Sequence, residues 1–364
     1  MLDHSASVGV RGQITCDYLK GLGFSQIGVT GCPSLALNGP GLPLREKQPL
    51  TPESKLCFTG SVSNPPDFKK FAVRCTERFP NTYFVPQFID DLRLMYLGIP
   101  HPDTADSRVL HPTNLGHPVF VEDKARFFIN LPSMFAFNRE MDFNYGTRIH
   151  GAIGNILCGV PSLLFPPDAR IRELAESHNI PAIPASAVTP DTDLAALYDQ
   201  TDFRQVNNGH AERFWHLIDF LNENGIKTIY DDRTGTPARS LYDEKTAATS
   251  YAQPVHSMLV RPPEEIARRV DTAVRLQRKE IEDDSRLATQ LRDSQRKVTQ
   301  LQERNKKQAA QIQALKEERK ALKTELKATK KPLRRLAWYQ RTSTFGIGLA
   351  RLKKKLRRLL GKEK

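Results

Sequence analysis

Arg148 and His150 stand between two glycines, Gly146 and Gly151, and further on Asp168, Arg170 and Arg172 recur at alternate positions. An arginine fork grips carboxylate or phosphate through two parallel hydrogen bonds. Histidine, with an unperturbed pKa of about 6.5, suits the giving of a proton near neutral pH. Together these types can bind a small, multiply charged anion and protonate it. In an extended segment, residues two apart project to the same side, which would aim Arg148 and His150 at one target. Asp168 has a structural role open to it as the N-cap of the helix that follows. Arg170 and Arg172 can serve either as phosphate contacts or as surface residues.

The elements that must position them follow from the patterning. Residues 142–181 read as strand or loop, polar turn, short helix, buried strand, polar turn and helix. The Leu163-Leu164-Phe165 run, bounded by Val-Pro and Pro-Pro, has the length and composition of a buried parallel strand. Both polar turns then lie at the same end of successive β/α units, where open α/β sheets place their ligands and helix N-termini favour anions. Further strands are expected at 55–59, 82–86, 108–110 and 141–144. Helices are expected at 66–77, 90–97, 135–139, 151–157, 169–178, 193–198 and 211–224, the last stopped by Gly225. Residues 5–38 read as strand, helix, strand.

At the chemistry-bearing residues the chain resembles the polysaccharide pyruvyl transferase family. That family shares a Gly-x-Arg-x-His-Gly core, a Gly-Val-Pro turn and an Asp-x-Arg-x-Arg-Glu-Leu helix start, which stand here at 146–151, 159–161 and 168–174. Gly9-Val-Arg-Gly-Gln-Ile-Thr, Thr30-Gly-Cys-Pro-Ser and Phe220-Leu-Asn-Glu-Asn-Gly extend the match in the right order over residues 7–225. The resemblance implies donor binding by Arg148 and general-acid catalysis by His150. It makes Arg11, Gly146, Gly151, Asp168, Arg170 and Arg172 candidates for substrate binding. The family often has a histidine before the Asp-x-Arg turn, where Pro167 stands here, so one contact is in doubt.

The fold implied is α/β, with Rossmann-like (GT-B-like) domains and a long C-terminal coiled-coil helix. The first domain, 1–40, is expected to be truncated, through a late start codon, a shortened gene model or divergence. Three β/α elements cannot cover both faces of a parallel sheet. A linker at 41–54, a second Rossmann-like domain at 55–227 and a polar linker at 228–262 follow.

From 263 to 330 a helix is expected, ended by Pro332. Within it Leu291, Val298, Asn305, Ile312, Arg319 and Leu326 fall at a positions of a heptad, with Asn305 as the register device of a parallel dimer through 287–329. The alternative is a single charged helix. The net charge of +13 sits mostly in residues 331–364, whose twelve Lys or Arg and one acid supply +11. The core is therefore near neutral and no nucleic acid partner is expected. In the tail, Leu349, Leu352, Leu356 and Leu359 share a helical face while most cations lie off it. That pattern suits an anionic membrane surface at 345–364, with a solvated or nucleic-acid-binding tail as the alternative.

No signal peptide or transmembrane run is evident, and the five cysteines show no metal spacing. They read as the reduced thiols of a cytosolic protein. No metal is expected and no cofactor beyond phosphoenolpyruvate as co-substrate. The expected activity moves its pyruvyl group to a pair of sugar hydroxyls as a ketal, in exopolysaccharide or surface-glycan synthesis. The acceptor could be lipid-linked and the location cytoplasmic, at the inner membrane face. Two alternatives remain: a nucleotide-sugar glycosyltransferase of similar architecture, and a non-catalytic relative acting as a membrane-tethered coiled-coil dimer.

Overall fold

The computed structural model describes residues 6–101, 112–233, 241–342 and 344–359; the strand expected at 108–110 lies outside them. Residues 1–277 make one compact unit and 278–364 a second. The fold is mixed α/β with parallel sheets.

In the first unit β1 (Val8–Val10), α1 (Gln13–Gly21) and β2 (Ile27–Val29) form a β/α/β fragment with a parallel strand pair. A second sheet holds β3 (Leu56–Thr59), β4 (Thr82–Phe84), β5 (Phe143–Gly146) and β6 (Ser162–Leu164) in the order β4-β3-β5-β6, all parallel. The chain leaves β3 to one side for β4 and returns on the other side for β5. The carboxyl ends of β3 and β5 therefore flank the topological switch point, the crevice where such sheets bind ligands.

The connecting helices are α2 (Pro66–Arg78), α3 (Ile89–Leu97), α4 (Pro118–Val121), α5 (Leu131–Asn138), α6 (Ile149–Leu157) and α7 (Ala169–Ser177). After them come α8 (Leu194–Gln200), α9 (His210–Glu223), α10 (Leu241–Thr246), α11 (Pro263–Thr342) and α12 (Thr344–Leu359). Helix α2 buries Phe68, Phe71, Ala72 and Cys75, a spacing that lines one helical face. These pack with Phe58, Tyr145 and Phe165 in an aromatic core whose ring centroids lie 5.1–6.5 Å apart. A second cluster joins Ile149, Ile153 and Ile156 of α6 to Ile171 and Leu174 of α7, with Leu35 from the 3-10 turn Pro33–Asn38 and Cys32 just before it.

The β1/α1/β2 fragment is fastened to this body at two places. Glu173 of α7 accepts from the N–H groups of Ile14 and Thr15 at the start of α1. Asn224, just past α9, donates to the Ser7 hydroxyl at 3.0 Å. Residues 41–54 are anchored as well: Arg45 N–H donates to Gly159 O at 2.9 Å, and Lys47 Nζ donates to the carbonyls of Tyr198, Asp199 and Thr201.

Three boundaries differ from the sequence expectation. Strand β5 runs two residues later than 141–144, because Asp142 caps the edge by accepting from Lys55 N–H at 2.7 Å and pairing begins at Phe143. Helix α5 starts at Leu131 rather than 135, where Asn130 accepts the Ser133 N–H at 2.9 Å and Pro132 sits in the first turn. Pro332 does not end the long helix, which continues to Thr342. One missing N–H, at a cost of about 3 kcal/mol, is outweighed by the run of good helix formers on both sides. Within the described part of 228–262, α10 adds a short helix to the expected loop.

In the second unit Leu291, Val298, Leu301, Ile312, Leu315, Leu322 and Leu326 are each more than half exposed. Helix α12 leaves Leu349, Leu352 and Leu356 exposed among cations. Among the described residues, no helix is long and apolar enough to cross a membrane.

Candidate active site at the switch point

The Gly146 turn sits against the end of β3. Thr147 and Arg148 both donate their N–H to Thr59 O, at 2.8 and 3.3 Å, and the Thr147 hydroxyl donates to Asn64 Oδ1 at 2.8 Å. Gly146 has φ +152°, and a Cβ there would run into the Thr59 carbonyl. A Cβ on Gly151 would stand 2.6 Å from Thr59 Cγ2. Both glycines are thus required by close approach to one residue, Thr59, whose buried hydroxyl has no hydrogen-bond partner among the described residues.

Strand β5 ends at Gly146 and α6 begins at Ile149, so Arg148 is the N-cap (φ −99°, ψ 114°) and His150 lies in the first helical turn. This corrects the expectation that Arg148 and His150 share an extended segment. Successive helical residues rotate by about 100°, and the two side chains have different surroundings. Arg148 lies half-buried with its guanidinium carbon 4.3 Å from the Phe88 ring centroid, and its Nε has no partner among the described residues. Burial, then repulsion from Arg170, pushes its pKa below the usual arginine value; Asp91 and Asp168 act against that. Hence Arg148, Arg170 and Asp168 feel one another across the ends of β5 and β6.

His150 is exposed and lines a cavity of about 590 Å³, otherwise mainly apolar, with Pro33, Leu37, Phe135 and Leu217 among its walls. The Cys32 thiol near it is buried. Burial pushes that thiol up, but its interactions with His150 and Ser34 outweigh burial and bring it down to about 7. Cys57, buried in β3, is instead pushed up to about 12.

Asp168 is the N-cap of α7, accepting the Ile171 N–H at 2.9 Å. Arg170 is exposed beside it. Arg172 is separated from this group: it pairs with Glu176 at 3.9 Å on the outer surface. Arg11 is exposed in the turn between β1 and α1. The structure thus brings Gly146, Arg148, Gly151, Asp168 and Arg170 to the switch point and sets His150 at the cavity. Thr59, Asn64, Phe88 and Cys32 were missed as site residues. Thr59-Gly60-Ser61, small polar residues ending an apolar strand, was the available signal. Among the described residues no three His, Cys, Asp or Glu side chains converge as a metal centre would require.

An α/β chain with cations and helix starts gathered at a sheet switch point has the build of a protein that handles an anionic substrate. Residues 1–168 match the model of the family described as polysaccharide pyruvyl transferase, a family of transferases, so the resemblance read from the motifs holds over that segment. The match takes in the Gly-x-Arg-x-His-Gly core and the Gly-Val-Pro turn. No curated protein matches the chain. Among solved structures, the glycotransferase of kitacinnamycin aligns at 20% identity and TM-score 0.26, over 50% of this chain and 43% of that one. The glycosyltransferase SnogD from Streptomyces nogalater aligns at 16% identity and TM-score 0.23, over 58% of each. The chain therefore spans about half the length of these neighbours.

Proposed function

We propose that the chain transfers the pyruvyl group of phosphoenolpyruvate to two hydroxyls of a glycan as a cyclic ketal. In this reading Arg148, with Arg170 beside it, holds the donor's phosphate and carboxylate at the ends of β5 and β6. His150 gives its proton to C3 of the enol. That leaves C2 cationic; one sugar hydroxyl attacks C2, phosphate departs with its bridging oxygen, and the second hydroxyl closes the ketal. The half-buried Arg148, with an unpartnered Nε at the switch point, is the observation that carries the reading. A buried N–H left without a partner among the described residues is costly, and a bound anion would satisfy it.

The test is phosphate release from phosphoenolpyruvate with a panel of galactose-, glucose- and mannose-containing disaccharides. His150→Ala should lower turnover by about 10²-fold or more; near-normal turnover would remove His150 from the chemistry. We further infer a parallel dimer through 287–329 and an anionic membrane surface as the partner of 345–364. Together they would hold the chain at the cytoplasmic face of a membrane, beside lipid-linked acceptors.

A further inference from the structure

Helix α6 turns one face towards the cavity on whose wall His150 stands. His150, Ile153, Gly154 and Leu157 all line it, at the i, i+3, i+4 and i+7 spacing of one helical stripe. The stripe runs about 10 Å along the helix axis. Phe214, Leu217, Ile218 and Leu221 of α9 line the same cavity at the same spacing. His150 is in the first turn of α6 and Gln87 follows β4, so both polar groups lie at the carboxyl ends of the strands. From there to Leu157 the α6 wall is apolar. Leu37 and Leu131, each 54% exposed, belong to the same lining and carry it out to the surface.

Among the described residues that line this space there is no Asp, Glu, Lys or Arg. An anion such as the donor finds no counter-charge here. A bare sugar would strip its hydroxyls of water and meet few partners in return. A hydrocarbon gains from the same walls, and about 590 Å³ is the size of a cavity that takes one small molecule. We propose that the cavity binds a hydrocarbon chain carried by the acceptor: the sugar rests at His150 while its chain follows α6 towards Leu157. This rests on the reading of His150 as the general acid of pyruvyl transfer. The chain itself does not react. Its burial supplies binding remote from the reacting hydroxyls, which holds them in place against the donor. Met134 of α5 packs over Gly154, where a Cβ would stand 2.9 Å from its Cε, and its flexible side chain can yield to the chain.

The experiment first reads binding without turnover. The full chain is titrated calorimetrically with hexyl, heptyl and octyl glucosides, all below their micelle concentrations. Affinity should rise about fourfold with each added methylene, and glucose alone should not bind. Leu37→Asp and Leu131→Asp, both at exposed positions, should each weaken octyl glucoside by about tenfold or more. Circular dichroism and thermal midpoints confirm that each variant is folded. Deleting 345–364 should leave the affinity unchanged. Affinity lost with the tail would place the alkyl chain there, and affinity gained would make the tail's own leucines the occupant; either overturns the proposal, as does affinity indifferent to chain length. Phosphate release then shows the consequence: octyl glycosides should have a KM about tenfold or more below that of the free sugars. Equal KM values, with release intact, would overturn the chain subsite and leave the pyruvyl reading standing. Binding that grows with chain length, in a chain releasing no phosphate with any acceptor, would instead overturn the pyruvyl reading.

Discussion

At the scale of single residues, the proposed function assigns charge binding to Arg148 and proton delivery to His150. Arg148 lies over Phe88 and against the Gly146 turn, while His150 faces the cavity. Arg148→Lys should therefore weaken phosphoenolpyruvate binding by about tenfold or more, because a point charge cannot reproduce the planar fork. Calorimetric titration of donor alone checks it; wild-type affinity would make the arginine structural. His178 offers a test of the scaffold. Its folded pKa of about 4 lies below the ordinary value of 6.5, so the unfolded chain binds the extra proton first. The stability it permits is complete above pH 6.5 and is lost as pH falls towards 4, by up to about 3 kcal/mol. Denaturant titrations across that window should show the slope in wild type, and His178→Gln should flatten it.

At the scale of elements, the working unit is the contact between the end of β3 and the turn joining β5 to α6. Gly146→Ala meets the Thr59 backbone in a left-handed conformation and should cost about 2–4 kcal/mol. Gly151→Ala meets the Thr59 side chain instead. Thr59→Ser removes the methyl in the way, so it should recover part of the loss for Gly151→Ala and none for Gly146→Ala. Denaturant midpoints of the three single and two double variants decide it; equal recovery in both would mean the clash is not the cause. The same contact fixes the helix start at Ile149, which turns Arg148 and His150 apart.

At the scale of the molecule, the second unit is a long charged helix with an exposed apolar seam, followed by a basic amphipathic one. A seam of this period is covered most simply by a second copy of itself. The full chain should sediment as a dimer and become monomeric on deletion of 287–329. Asn305→Leu should raise thermal stability while loosening the choice of oligomer. Two tails carried together would bind an anionic surface bivalently, each Lys or Arg near it contributing about 1 kcal/mol. Flotation with anionic vesicles should recover the chain at low salt and lose it at high salt or on deletion of 345–364. Binding indifferent to vesicle charge would refute the surface reading.

The sequence by itself determined the parts whose signals are local. Short apolar runs marked the strands, Asp168 marked a helix start, and the spacing of Arg148 and His150 between glycines marked the family motif. The long charged helix and the basic tail were legible for the same reason, since helical period and charge need no partner to be read. Only the tertiary structure decided which cations meet, because that depends on strand order and on where one turn stops being strand. It joined Arg170 to Arg148 and sent Arg172 to Glu176. It also set Thr59 beneath both glycines, close approaches across more than eighty residues of chain that no local pattern encodes.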